Sequence, residues 1–215
     1  MRRIQDGKPI VALLLITVST GMLDAVSLLH LGTFTGYMTG TVILVGVHLA
    51  GGAELAWPGL VALAGFVLGA IAGGRLVRRR HPPPKLVGEV LLASAALVAL
   101  AAAVDAAVLD PNHHFAVIAM LAFAMGLQTS ATRHAGVTDM AMPAATMILH
   151  GLAHDSHLAG GRAERVWRRV GVLTGLLAGA AVGAALSNRS VPLSLLATAL
   201  VAAGGGLVLR WASTE

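Results

Sequence analysis

Long apolar stretches, separated by short polar connections, dominate the pattern of the chain. Six of them are long enough to cross a bilayer core of roughly 30 Å as helices rising about 1.5 Å per residue. They cover residues 9–31, 58–76, 86–108, 115–132, 170–186 and 191–211. Two shorter apolar pieces, 39–50 and 142–153, follow breaks that contain Gly, Thr or Pro. This pattern predicts an all-α polytopic membrane protein with six transmembrane helices and two short re-entrant half-helices.

Composition supports the membrane class. Of the 215 residues, 56% are hydrophobic and 12% are charged, whereas an average soluble domain has roughly 25% charged residues. The absence of cysteine excludes disulfides and thiolate metal sites. The net charge of +5 comes from basic residues that sit beside apolar spans without interleaved aromatics. We therefore expect the lipid bilayer as a partner and no nucleic acid.

The basic residues orient the spans. Their clusters are Arg2, Arg3 and Lys8; Arg75, Arg78, Arg79, Arg80 and Lys85; Arg162, Arg165, Arg168 and Arg169; and Arg210. If both short pieces are re-entrant, all these clusters share one side, while Glu54, Asp105 and Asp110 fall on the other. Eight full spans would instead place residues 78–80 outside, and Arg189 is the one exception to the six-span arrangement. The positive-inside rule then predicts a multi-pass protein of the bacterial cytoplasmic membrane with both termini in the cytoplasm.

An internal repeat relates the two halves of the chain. Three blocks match in the same order: Asp24 with Gln128 and His30 with His134, residues 41–46 with 146–151, and residues 63–76 with 173–186. Each half, 1–108 and 109–215, then holds three spans and one half-helix. An odd number of crossings makes the halves opposite in orientation. Such inverted repeats place a binding site near the midplane, between the halves.

Short motifs in both halves resemble a known family. Gly21-Met-Leu-Asp24 precedes Gly32-Thr-Phe-Thr-Gly-Tyr-Met-Thr-Gly-Thr41, and Met125-Gly-Leu-Gln128 precedes Arg133. These elements resemble the YoaK-like bacterial membrane family, a domain of unknown function, over almost the whole chain. Where such proteins usually continue Met-Thr-Gly with Asn, this chain has Thr41. The resemblance implies the helical membrane fold and no established activity.

Candidate solute-binding residues gather at the two breaks. Non-helical backbone at membrane depth is tolerated where it is buried in protein or lines a cavity, so residues 32–40 and 135–144 should line one. Half-helices starting near Thr39 and near residues 143–146 would direct N–H groups and positive dipole ends into the protein, which suits a polar neutral or anionic solute. The expected solute-binding residues are Asp24, His30, Thr39, Gly40, Thr41, Gln128, Arg133, His134 and Thr146.

Several of these residues also have structural interpretations. An acid inside a span costs about 2.5–3.5 kcal/mol, so Asp24 should face the interior and have a partner. Asp24 itself could take part in transport or a proton relay, or it could make a structural hydrogen bond to a break or another helix. Thr39 and Thr41 could merely cap a helix, and Arg133 could be a cytoplasmic anchor.

The histidines suggest a different class of function. His150, His154 and His157 have the spacing i, i+4 and i+7, with Asp155 adjacent, so on one helix they would share a face and could bind a divalent metal. A solvated rim is the alternative. His113 and His114 are expected to be solvated in an external loop.

These features favour a channel or secondary transporter for a small polar or anionic solute, without a cofactor. A membrane-embedded metalloenzyme that uses the three histidines and a structural protein without transport stay open as alternatives. The ridges Gly65-xxx-Gly69-xxx-Gly73 and Gly175-xxx-Gly179-xxx-Gly183 offer small faces for close helix contact. That contact could lie within one chain or in a homo-oligomer.

Overall fold

Eight α-helices make up most of the chain that the structure describes. The computed structural model describes residues 7–52, 56–78, 84–108, 113–134, 145–162 and 166–211. The helices are α1 (Gly7–Leu31), α2 (Met38–Gly51), α3 (Trp57–Leu76), α4 (Pro84–Ala107), α5 (His113–Thr132), α6 (Ala145–His154), α7 (Val166–Ser187) and α8 (Val191–Trp211). A short 3-10 helix, His157–Ala159, follows α6.

Six of these helices are long and apolar enough to cross a membrane, namely α1, α3, α4, α5, α7 and α8. Their bounds lie close to the predicted ones, which confirms the all-helical membrane class. At about 1.5 Å per residue, α2 is about 21 Å long and α6 about 15 Å, so neither alone crosses a core of roughly 30 Å. Some predicted features lie outside the described residues: 135–144, which includes the predicted start of the second half-helix, and Arg2, Arg3, Glu54, Arg79, Arg80, Asp110 and Arg165.

The long helices pack mainly across the two halves of the chain. α1 packs on α7 and α8, α5 packs on α3 and α4, and α4 packs on α8. α1 and α5 also touch each other. The short helix α2 lies on α3, and α6 lies on α7.

Glycines bring the helix backbones together at two of these interfaces. Gly69 of α3 faces the Phe123 carbonyl of α5, and Gly179 of α7 faces the Val18 carbonyl of α1. A Cβ at either glycine would collide with that carbonyl, so close helix contact requires glycine there. Other ridge glycines are buried as well: Gly65, Gly73 and Gly183. The predicted ridges are therefore used inside the chain, and these buried faces are not open to a second copy.

Apolar side chains fill the interior and also cover the outside. Leu23, Leu121 and Leu195 are at most 1% exposed and belong to a core shared by α1, α5 and α8. In contrast, Leu177 is 73% exposed and Leu200 is 74% exposed. Exposed leucines on helices of this length match a lipid surface.

Candidate functional site

After α1, the chain turns back alongside the same helix. Gly32 begins the turn with a φ of +69°, a left-handed conformation that glycine adopts without steric cost. The Thr33 N–H donates to the Ser27 carbonyl at 3.4 Å, and the hydroxyls of Ser27 and Thr35 lie 3.0 Å apart. The segment thereby returns to the level of Asp24, about 10 Å before the end of α1 at about 1.5 Å per residue. Helix α2 therefore begins beside the interior of α1.

Asp24 of α1 holds this turn through three backbone hydrogen bonds. Its Oδ1 accepts the N–H groups of Thr35 at 3.0 Å and Gly36 at 2.7 Å, and its Oδ2 accepts the N–H of Tyr37 at 3.0 Å. Asp24 is 4% exposed. Tyr37 is the N-cap residue of α2 and makes no side-chain cap bond. The carboxylate thus caps the N-terminus of α2, at the positive end of the helix dipole. Asp24 also has the hydrogen-bond partners expected of an acid inside a span.

Two further residues of the predicted site, Thr41 and Gly40, contact Phe34 in this turn. The Thr41 hydroxyl donates to the Phe34 carbonyl at 2.7 Å. Gly40 lies against the Phe34 ring, where a Cβ would come within 2.7 Å of Cδ2. Thr39 is exposed. Neither threonine caps α2, so the capping interpretation of Thr39 and Thr41 is wrong.

A cleft of about 610 Å³ opens between α1, α7 and the starts of the two short helices. Gly40 of α2 and Ala145 of α6 both line it, and Leu176 and Ala180 of α7 form part of its wall. Among its described lining residues, the polar side chains come from two positions, Asp24 and Tyr37. The cleft is therefore an apolar space with an acid at one wall, and the starts of both short helices border it.

Gln128 of α5 lies near this site without lining the cleft. Its Nε2 donates to the Thr20 hydroxyl of α1 at 3.1 Å and lies 3.7 Å from Met125 Sδ. Thr20 lies about one helical turn before Asp24. Asp24 and Gln128, which the predicted repeat pairs, are thus both buried and hydrogen-bonded, and the partner of Gln128 is Thr20 of α1.

The rest of the predicted solute-binding set lies outside the cleft. These residues are exposed: His30, Thr39, Arg133, His134 and Thr146. Within the predicted set, Asp24 and Gly40 line the cleft. Tyr37 and Ala145 also line the cleft, although neither was in the predicted solute-binding set. Tyr37 lies in the break 32–40, which was predicted to line a cavity, and that placement is the signal that pointed to it.

The three histidines predicted to bind a metal do not share one helix face. α6 ends at His154, and His157 lies in the 3-10 helix that follows. The rings of His150 and His154 stack with their centroids 5.4 Å apart. The expectation of one face is wrong because the helix is only 10 residues long and ends before the third histidine.

Arg169 of α7 makes hydrogen bonds at the C-terminal end of α6. Its guanidinium donates to the Gly151 carbonyl at 2.7 Å and to Asp155 Oδ2 at 2.6 Å. The hydrogen bond from Arg169, followed by the one from His154, holds the pKa of Asp155 below its ordinary value of 3.8. Asp155 is therefore ionised at neutral pH and pairs with Arg169 at the end of α6.

Comparison with known proteins identifies the family. The profile of a family of unknown function, DUF1275, matches residues 12–209. The chain belongs to the DUF1275 family. The UPF0700 transmembrane protein YoaK of Bacillus subtilis (strain 168) is 27% identical over 145 residues, which cover 66% of this chain and 64% of that protein. No solved structure matches. The resemblance to YoaK-like membrane proteins is thereby confirmed, and the family region includes the turn held by Asp24.

Proposed function

We propose that this protein is a channel or secondary transporter whose solute passes through the cleft beside Asp24. One observation carries the proposal: Gly40 and Ala145, at the starts of the two short helices, line a single cleft together with the acid. Helix ends at membrane depth need protein or solute around them, because their free backbone groups cannot face lipid. Discontinuous helices that meet at a shared cavity are how many transporters build their solute sites.

The proposal includes two inverted repeats, with α2 and α6 as re-entrant half-helices. Under the sequence repeat, α1 to α4 correspond to α5 to α8. The packing supports this exchange, since α1 on α7 corresponds to α5 on α3, α1 on α8 to α5 on α4, and α2 on α3 to α6 on α7. Three long helices in each half give the halves opposite orientations in the membrane.

Individual contacts support the same exchange. Gly126 of α5 approaches the Phe66 carbonyl of α3, and Gly21 of α1 approaches the Leu176 carbonyl of α7. Phe66 and Leu176 are matched in the sequence repeat. The two glycines are one residue out of the register predicted for this part of α1 and α5. The two interfaces match apart from this shift of one residue in the alignment of α1 with α5. They therefore support a single symmetry operation that relates the two halves.

The proposed orientation follows from the helix ends that carry basic residues. They are the start of α1, the end of α3, the starts of α4 and α7, and the end of α8, with Lys8, Arg75, Lys85, Arg168 and Arg210. If α2 and α6 do not cross the bilayer, all these ends lie on one side. The positive-inside rule makes that side the cytoplasm of a bacterial cell.

The solute in this proposal is small, carries hydrogen-bond donors and is neutral or cationic. A bound anion would need the N–H groups that precede α2, and three of these already donate to Asp24. A carboxylate has about four lone-pair sites, so it can accept a further donor. A second negative charge beside it in a poorly solvated cleft would be repelled. Of the polar or anionic solutes predicted from the sequence, the proposal thus keeps the polar class and leaves out the anionic one.

Solute entry into proteoliposomes tests the function. The probes are urea and methylammonium, with formate as the anionic comparison, and stopped-flow light scattering measures entry. We expect the protein to speed entry of urea or methylammonium relative to empty liposomes. Ala184→Phe fills the cleft and should abolish this gain, whereas Ala185→Phe, on the exposed side of α7, should keep it.

Two results would contradict the proposal. One is that neither donor-bearing probe enters faster than in empty liposomes. The other is that both phenylalanine variants lose the same activity, which would point to a general defect of α7. Preferential entry of formate would keep the cleft as the pathway and return the solute class to anions.

A further inference from the structure

Asp105, His113 and His114 form a cluster away from the cleft, where α4 ends and α5 begins. Asp105 lies in the last turn of α4, and the two histidines open α5. Each offers one ligand atom, and these three atoms lie within 4.8 Å of one another. The side chains of His113 and Asp105 are 13% and 10% exposed. His113 is therefore largely buried at the start of a helix, whereas the sequence led us to expect a solvated residue in a loop.

The spacing of Asp105 and His113 fits two ligands of one metal ion. His113 Nε2 lies 3.3 Å from Asp105 Oδ1. A charge-assisted N–H···O bond is shorter, about 2.7–2.9 Å. Two atoms that each lie about 2.0–2.1 Å from a tetrahedral zinc ion are about 3.3–3.4 Å apart. The observed distance thus matches a pair of zinc ligands better than a tight ion pair.

His114 can complete a set of three ligands. Its ring centroid lies 4.2 Å from that of His113, with an angle of 35° between the ring planes. His114 is exposed, so its side chain can rotate toward the other two ligand atoms. Two imidazoles and one carboxylate are a ligand set that zinc uses in sites with an open fourth position.

Helix electrostatics alone do not account for these residue types. A carboxylate is favoured at a helix N-terminus and an imidazolium at a C-terminus. Asp105 and His113 stand at the opposite ends of their helices. A divalent cation would offset the carboxylate charge at the end of α4. Neutral imidazole is the form in which histidine binds metals.

We propose that Asp105, His113 and His114 bind one zinc-class divalent ion, with a fourth coordination position open to water. The ion joins the last turn of α4 to the first turn of α5. This site is independent of the proposed transport pathway, because none of its residues lines the cleft.

Metal binding by the whole purified protein tests the site, with Co²⁺ as the spectroscopic probe after treatment with a chelator. We expect one Co²⁺ per chain, with the visible ligand-field bands of low coordination number and displacement by Zn²⁺. His114→Gln alters an exposed side chain and should weaken binding by at least about 100-fold, since changes outside the ligand set already cost about 10–100-fold. His150→Gln removes an exposed histidine from the other histidine group and should bind Co²⁺ like the wild type.

Thermal stability gives a second measurement. Zn²⁺ that binds the folded state should raise the melting temperature of the wild type and of His150→Gln, and leave Asp105→Asn and His114→Gln unchanged. The proposal is overturned if the wild type binds no Co²⁺. It is equally overturned if His150→Gln loses binding while His114→Gln keeps it.

Discussion

The two short helices are held at opposite termini by hydrogen bonds to side chains of opposite charge. α2 is held at its start, where Asp24 of α1 accepts three backbone N–H groups. α6 is held at its far end, where Arg169 of α7 donates to the Gly151 carbonyl. Both choices agree with the helix dipole, which favours an acid at the N-terminus and a base at the C-terminus. In the proposed repeat the two short helices take matched positions, whereas the side chains that hold them differ in chemistry.

The two anchors differ in their exposure to solvent. Asp24 is 4% exposed, whereas Arg169 is 12% exposed and pairs with Asp155, whose side chain is 41% exposed. A buried donor left without a partner costs about 1–3 kcal/mol, while an exposed ion pair contributes little because water and salt screen it. We therefore expect the α2 side of the cleft to be the more rigid one.

Replacement of Asp24 should have the largest effect. Asp24→Leu leaves three N–H groups without an acceptor, one buried and two partly buried, at up to about 1–3 kcal/mol for each group. Asp24→Asn can keep the two bonds to Oδ1 and loses the one from Tyr37, so its loss should be intermediate. Thermal unfolding in detergent micelles measures both variants.

Glu89→Leu is the matched control, because Glu89 is an exposed acid of α4. It should leave the melting temperature close to that of the wild type. If Asp24→Leu were as stable as Glu89→Leu, the carboxylate would not hold the turn.

The helices could be predicted from the sequence, but the side-chain hydrogen bonds that hold the short helices in place could not. Length and apolarity are local properties, so the pattern predicts the bounds of the six long helices closely. The role of Asp24 depends on a turn at Gly32 that brings residues 35–37 back alongside α1. No local sequence pattern predicts this change of chain direction. The same limit applies to His157, whose spacing from His154 has meaning only if α6 continues.

Gly46 of α2 and Gly151 of α6, which the predicted repeat pairs, allow a direct comparison of the two short helices. Gly46 of α2 has open space where a Cβ would stand, whereas a Cβ on Gly151 would lie 2.9 Å from the guanidinium carbon of Arg169. Gly46→Ala should therefore raise the free energy of unfolding by about 0.5–1 kcal/mol through the lower backbone entropy of the unfolded chain. Gly151→Ala should lower it by about 1–2 kcal/mol, since the charged hydrogen bond to the Gly151 carbonyl is displaced. Equal stabilisation by both variants, measured by chemical denaturation, would mean that Arg169 does not hold α6.

The smallest expected effect concerns Asp155, and its sign with pH is fixed by its pKa. Because hydrogen bonds from Arg169 and His154 hold the pKa of Asp155 below 3.8 in the folded protein, its ionised form stabilises the fold above that pH. This contribution is lost as the pH falls through the folded-state pKa. Asp155→Asn should thus lower the melting temperature slightly at neutral pH and match the wild type at the acidic end of a pH series. In the background Arg169→Gln the same substitution should have a smaller effect, because the carboxylate then keeps only its contact with His154. A difference that grows as the pH falls would show that Asp155 acts through some contact other than Arg169.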